Sequence, residues 1–145
     1  MKKTLLFLTL ATVLLMGCRE REDFHFSTLD LYGTWDGIEL YYPDYYYQRW
    51  IDLTNNEDYS GSISFYPKGK CDGTVSHRKD TYNVNGTYTV EDKVIFIDAA
   101  DGWYYENIRN GSAEVIAFDR KKKEAELSVN IKGEIKGIRL RIKKR

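Results

Sequence analysis

Four carboxylates crowd one aromatic stretch of the chain: Asp36, Glu39, Asp44 and Asp52. Two acids converging in a cleft can hydrolyse a glycosidic bond, one donating a proton while the other acts as base or nucleophile. Turns and outward strand positions account for the same residues more simply, so no catalytic role is expected of them. His25 and His77 are the only histidines, and neither falls at metal-type spacing from cysteines or acids. No phosphate-binding loop, nucleophile elbow, HExxH zinc motif or CxxC pair occurs. The reading is therefore of a non-enzyme, with no cofactor or metal implied.

Aromatic side chains offer a different chemistry. The stretch LYGTWDGIELYYPDYYYQRW, Leu31 to Trp50, carries eight Tyr and Trp in twenty residues. A second cluster, Asp101-Gly102-Trp103-Tyr104-Tyr105, follows a turn signal. Tyr and Trp present an apolar body with a polar tip, which suits a sugar face, a lipid headgroup or a partner protein. Pro43-Asp44 interrupts the first cluster, and consecutive tyrosines cannot all face one side of a strand. Some of them must then lie in a loop or on a rim. Tyr45, Tyr46, Tyr47, Trp50, Trp103 and Tyr104 are the candidate ligand-binding residues. Packing of these rings beneath their own loops is the alternative that composition leaves open.

The ends of the chain say where such a surface would be displayed. Lys2 and Lys3 precede the apolar run Thr4–Met16, whose thirteen residues span about 20 Å as a helix, short of the roughly 30 Å of a bilayer core. That pattern fits an export signal. The junction Leu15-Met16-Gly17-Cys18 resembles the lipobox of bacterial lipoproteins, a family in which the cysteine is lipidated and becomes the first mature residue. The resemblance implies a lipid on Cys18, a membrane partner, and a place in the bacterial cell envelope, at the outer membrane on its periplasmic or surface face. It also leaves Cys71 without a disulfide partner. A plain secretory signal is the competing reading.

The expected organisation is a signal peptide over 1–17, a tether over 18–28 and one domain over 29–145. Without the first 17 residues the chain has 20 basic and 22 acidic residues, a net charge of −2. Cys18–Asp101 holds 8 basic and 16 acidic residues against 12 and 6 in Gly102–Arg145. This asymmetry predicts two differently charged faces and no nucleic-acid partner. Lys121–Lys123 and Lys143–Arg145 read as a solvated hairpin tip and a terminus, with contact to anionic headgroups as the alternative.

From Leu31 on, turn signals recur at Pro43-Asp44, Asn55-Asn56, Pro67–Gly69, Asp92-Lys93, Asn110-Gly111, Lys121–Lys123 and Lys132-Gly133. Between them lie runs rich in Val, Ile, Thr, Tyr and Phe, several in strict alternation: Ala125, Leu127, Val129 and Ile131, or Tyr82, Val84, Tyr88 and Val90. Nine strands are predicted, antiparallel, with no helical periodicity. Apolar phase slips around Gly37 and Gly137, and Gly86 interrupts a strand, so the sheet is expected to bend until its edges meet. The fold class is all-β, an antiparallel up-and-down barrel of about 8–9 strands following the signal helix.

Gly33-Thr34-Trp35 at the first strand resembles the G-x-W signature of the lipocalins and related calycins. In that family the Trp closes one end of the barrel and an Arg of the last strand packs over it. The resemblance implies that Gly33 and Trp35 form the closure, with Arg139 or Arg141 of a last strand Lys136–Lys143 as the cation. It also implies a cavity for a small apolar or amphipathic ligand. A protein partner docking on the tyrosine-rich rim is the rival function.

Overall fold

Residues that alternate in the sequence alternate in space. The computed structural model describes residues 24–43, 49–101, 110–131 and 137–145. Nine strands are described: β1 Gly33–Tyr41, β2 Trp50–Asp52, β3 Tyr59–Tyr66, β4 Lys70–His77, β5 Asp80–Glu91, β6 Val94–Asp101, β7 Asn110–Asp119, β8 Glu124–Ile131 and β9 Ile138–Lys144. From β3 to β9 each strand pairs antiparallel with the next.

Closure happens at β1. Along one edge it pairs with β3 through Gly33–Asp36 and with β2 through Glu39–Tyr41. Along the other it pairs with β9, from Trp35–Lys144 to Tyr41–Arg139. The ring is thus an eight-stranded closed antiparallel barrel, and β2 is an extra short strand covering the part of β1 that β3 does not reach.

Bulges mark the bends. The expected phase slip at Gly37 is a register shift between Gly37 and Glu39, and Gly86 lies at a shift between Asn85 and Gly86. A third shift, between Val115 and Ala117, was not expected. The sequence-based turns and bounds differ from the structure at three places. Asn110-Gly111 is not a turn, because the β6–β7 ladder runs through both residues. The turn joining β4 to β5 is Arg78-Lys79, which carries no Gly, Pro or Asn to announce it. Finally the described β9 is Ile138–Lys144, preceded by Gly137 at φ +95°, and the expected first residue, Lys136, lies outside the described residues.

One end of the barrel is plugged, and we call it proximal. There a single helical turn, α1 (Thr28–Leu31), sits across the opening. Leu31 is 0% exposed and Phe26 7%, and both join a core with Trp35, Phe65, Cys71, Tyr88, Ile95 and Val115. The Phe26 ring meets the Phe118 ring edge-on at 5.2 Å. The Asp30 carboxylate accepts hydrogen bonds from the Ser27 backbone N–H and hydroxyl at 2.9 and 3.0 Å, closing the turn on itself. Arg120, in the β7–β8 turn, then grips the same carboxylate through two nitrogens at 3.0 Å. Residues 24–28 are therefore part of the barrel's packing, and the expected boundary at residue 29 falls inside the plug. Among the described residues no helix is long and apolar enough to cross a membrane.

Candidate functional site

The barrel interior changes character along its axis. Toward the proximal end the inward side chains of β3 to β9 are buried: Phe65, Cys71, Tyr88, Ile95, Val115 and Ile142. Toward the distal end most inward positions of the same strands are half-buried, among them Ile63, Val75, Tyr82, Ala113, Val129 and Leu140, while Val84 and Ile138 are buried. Small residues share that half. Gly61 and Gly73 face inward on β3 and β4, and Gly111 does so on β7, opposite Ile97. A Cβ added at Gly111 would meet no described atom within 4 Å. An apolar, partly open interior at one end of a plugged barrel is compatible with holding a small ligand.

The plug is built around Trp35, which is 1% exposed. Its indole N–H donates to the Leu31 carbonyl at 2.7 Å. Gly33, with φ at +113°, turns the chain from α1 into β1, and the Lys144 stem lies 2.9 Å from where a Cβ would stand there. Only glycine fits both constraints comfortably. The cation over Trp35 is Lys144, with Nζ 5.6 Å from the ring centre and 3.2 Å from the Asp30 carbonyl. Neither Arg139 nor Arg141 takes that position. Ile138, Leu140, Ile142 and Lys144 have the inward parity of β9, so the two arginines point outward. Counting parity from the buried isoleucines identifies Lys144 from the sequence.

Arg141 instead organises the outer wall. Its Nη1 reaches Glu39 of β1 at 2.6 Å and its Nε reaches Glu126 of β8 at 3.2 Å. Its guanidinium lies 4.0 Å from the centre of the Trp50 ring, and Arg139 pairs with Glu126 at 3.3 Å. The hydrogen bond to Glu39 is the largest influence raising the Arg141 pKa, opposed by burial and aided by Glu126. Trp50 and Tyr41, whose rings are 5.7 Å apart, are register partners on this outer face. The bulge at Gly37 has reversed the parity of β1, so Trp50 does not line the interior. That corrects its assignment as a mouth residue. Tyr45, Tyr46, Tyr47, Trp103 and Tyr104 lie outside the described residues, as does Cys18. The strand ends flanking the two aromatic clusters, Tyr41 and Trp50, Asp101 and Asn110, are all distal.

The four acids do not form a catalytic pair among the described residues. Asp36 is held by Arg145 through two nitrogens at 2.8 Å. Glu39 is held by Arg141, and Asp52 accepts from the Thr54 hydroxyl and N–H, which keep its pKa low. Asp44 lies outside the described residues. No group of three or more His, Cys, Asp and Glu among the described residues is placed to hold a metal. Cys71 is buried, and burial first, then the Asp72 charge, pushes its thiol pKa up. It is therefore a protonated core residue at neutral pH. A slot of about 460 Å³ opens in the wall where β2 and β3 part, between Gly37, Leu53, Thr54 and Gly61, with Lys143–Arg145 at its lip. No protein-family model and no curated protein matches this chain.

Proposed function

We propose that the protein is a lipid-anchored, lipocalin-like lipoprotein whose barrel holds a small apolar or amphipathic molecule in its distal half. The observation that carries this reading is the contrast along the axis: a sealed proximal core and a distal lining of mostly half-buried apolar and glycine positions. A Cβ at Gly111 would enter that lining with no described atom within 4 Å. The anchor rests on the leader and the Leu15–Cys18 junction. In this reading the aromatics at 45–47 and 103–104 supply ligand contacts, whereas Trp50 does not.

Native mass spectrometry of the purified protein tests the carrier. A co-purifying small molecule is expected, and Gly111→Leu should lose it while keeping the wild-type circular dichroism spectrum. Protein that comes out empty and takes up no fluorescent apolar probe overturns the reading. A second reading, a protein-interaction module, draws on the half-buried Tyr41–Trp50 pair displayed on the outer wall. It requires that Trp50→Ala abolish partner binding while Gly111→Leu leaves it intact.

A further inference from the structure

We propose that the proximal end of the barrel is a docking face for anionic phospholipid headgroups, so that the barrel stands plug-down on its membrane with the distal end outward. The orientation rests on the anchor reading of Cys18; the affinity of the face does not. Only Arg19–Asp23 separate Cys18 from Phe24, and six Cα-to-Cα steps of 3.80 Å reach at most roughly 23 Å. Phe24 belongs to the plug, beneath the Lys93 ammonium at 4.2 Å from its ring centre. A lipid on Cys18 thus tethers the proximal end.

The fold gathers positive charge at that same end. The proximal turns and strand ends (residues 67–70, 91–93, 119–124 and 143–145) together with the plug 24–32 hold ten Lys and Arg against five Asp and Glu. The described distal counterparts (49–58, 77–80, 98–101 and 137–139) hold four against six. The two basic clusters of the sequence become one surface: the Lys144 N–H donates to the Lys123 carbonyl at 2.9 Å. Three of those five acids, Asp30, Asp119 and Glu124, are engaged by Arg120, Lys122 and Lys143, and Asp36, which lies outside those ranges and is a sixth, is held by Arg145. Glu91 and Asp92 oppose an anionic partner, and the basic excess outweighs them.

Two details point to use of this charge and not to mere solvation. Lys68, Lys93 and Lys123 occupy left-handed backbone, at φ 66°, 69° and 55°. Glycine or asparagine takes that conformation at less cost; the distal turn has one such cation, Arg78 at φ 57°, against three here, and of the three Lys93 also packs over Phe24. Leu29, on the outer side of α1, is 73% exposed at the same end, placed to enter the headgroup layer.

The test uses the mature chain carrying Cys18→Ser, which bears no lipid, and co-sedimentation with two kinds of vesicle. Binding is expected to phosphatidylcholine vesicles doped with phosphatidylglycerol, released by salt, and not to pure phosphatidylcholine. Reversing Lys121, Lys122 and Lys123 to Glu should weaken that binding by roughly a hundredfold. Reversing Arg78 and Lys79 at the distal turn should leave it unchanged. Lys123→Gly guards against a folding artefact: it should melt no lower than wild type yet bind about fivefold more weakly. Equal binding to both vesicles, or equal loss in the distal variant, overturns the face. For the lipidated wild-type frame, fluorophores at Lys122→Cys and Lys79→Cys report orientation against nitroxide-headgroup lipid. Quenching confined to position 122 is expected, and equal quenching overturns the upright stance. Lipid labelling of wild-type protein in cells judges the anchor separately. An unlabelled chain refutes the anchor and the stance built on it, while the vesicle result still decides the face.

Discussion

Asp30 does three jobs, two with its carboxylate and one with its backbone. It caps α1 through Ser27, it receives the Arg120 fork, and its backbone carbonyl receives Lys144. Burial works to raise its pKa, but the Ser27 N–H and hydroxyl together with Arg120 overcome this and hold the group below the ordinary carboxylate value. Its folded value is therefore lower than its unfolded value, so the unfolded chain binds the extra proton. The stabilisation is complete above about pH 3.9 and is lost as pH falls through the folded value. Asp30→Asn should melt lower than wild type at neutral pH, and the gap should close progressively below roughly pH 4. A gap independent of pH in thermal melts would show that the charge of Asp30 contributes nothing. Trp35 beside it, expected as barrel closure, is a buried ring of the plug. Its cation Lys144 follows from the alternation Ile138, Leu140, Ile142, which a family pattern pointing to arginine obscures.

The closing seam between β9 and β1 is reinforced from outside by Arg141, which touches β1 through Glu39, β8 through Glu126 and β2 through Trp50. All three contacts are partly exposed, so the expected cost of Arg141→Ala is about 1 kcal/mol. The loss should shrink in high salt, and Trp50 fluorescence should shift to the red as the guanidinium leaves its ring. An unchanged spectrum would place the ring elsewhere. The strands themselves were readable wherever one face is apolar and the other polar, as in Tyr82–Val90 or Ala125–Val129. Bulges at Gly37 and Gly86 were readable because glycine accompanied the phase slip. The bulge after Val115 was hidden, since Ile116 and Ala117 are both apolar and no slip appears. The outward face of Trp50 depends on register with a bulged neighbour, which local pattern does not encode.

The plug changes where the barrel begins as a folding unit. Phe24 and Phe26 alternate around His25, a strand-like pattern that charge in the preceding residues masked. A chain starting at Leu29 lacks Phe26, and removing a buried phenylalanine costs roughly 3–5 kcal/mol, a large part of a typical domain's 5–15 kcal/mol. Denaturant titration should show the chain from residue 29 markedly less stable than the chain from residue 24. Equal midpoints would mean that the plug is ornamental. The predicted charge asymmetry between the two halves of the sequence is realised as a difference between the two ends of the barrel, because β8 and β9 return their basic tips to the plug.

The join of β9 to β1 links residues 102 positions apart, as Glu39 and Arg141 illustrate. Until β9 is synthesised or delivered, the free flanks of β1 and β8 are both open to pairing with strangers. A polypeptide of this topology gains from staying unfolded, or from being shielded by a chaperone, until its final stave arrives.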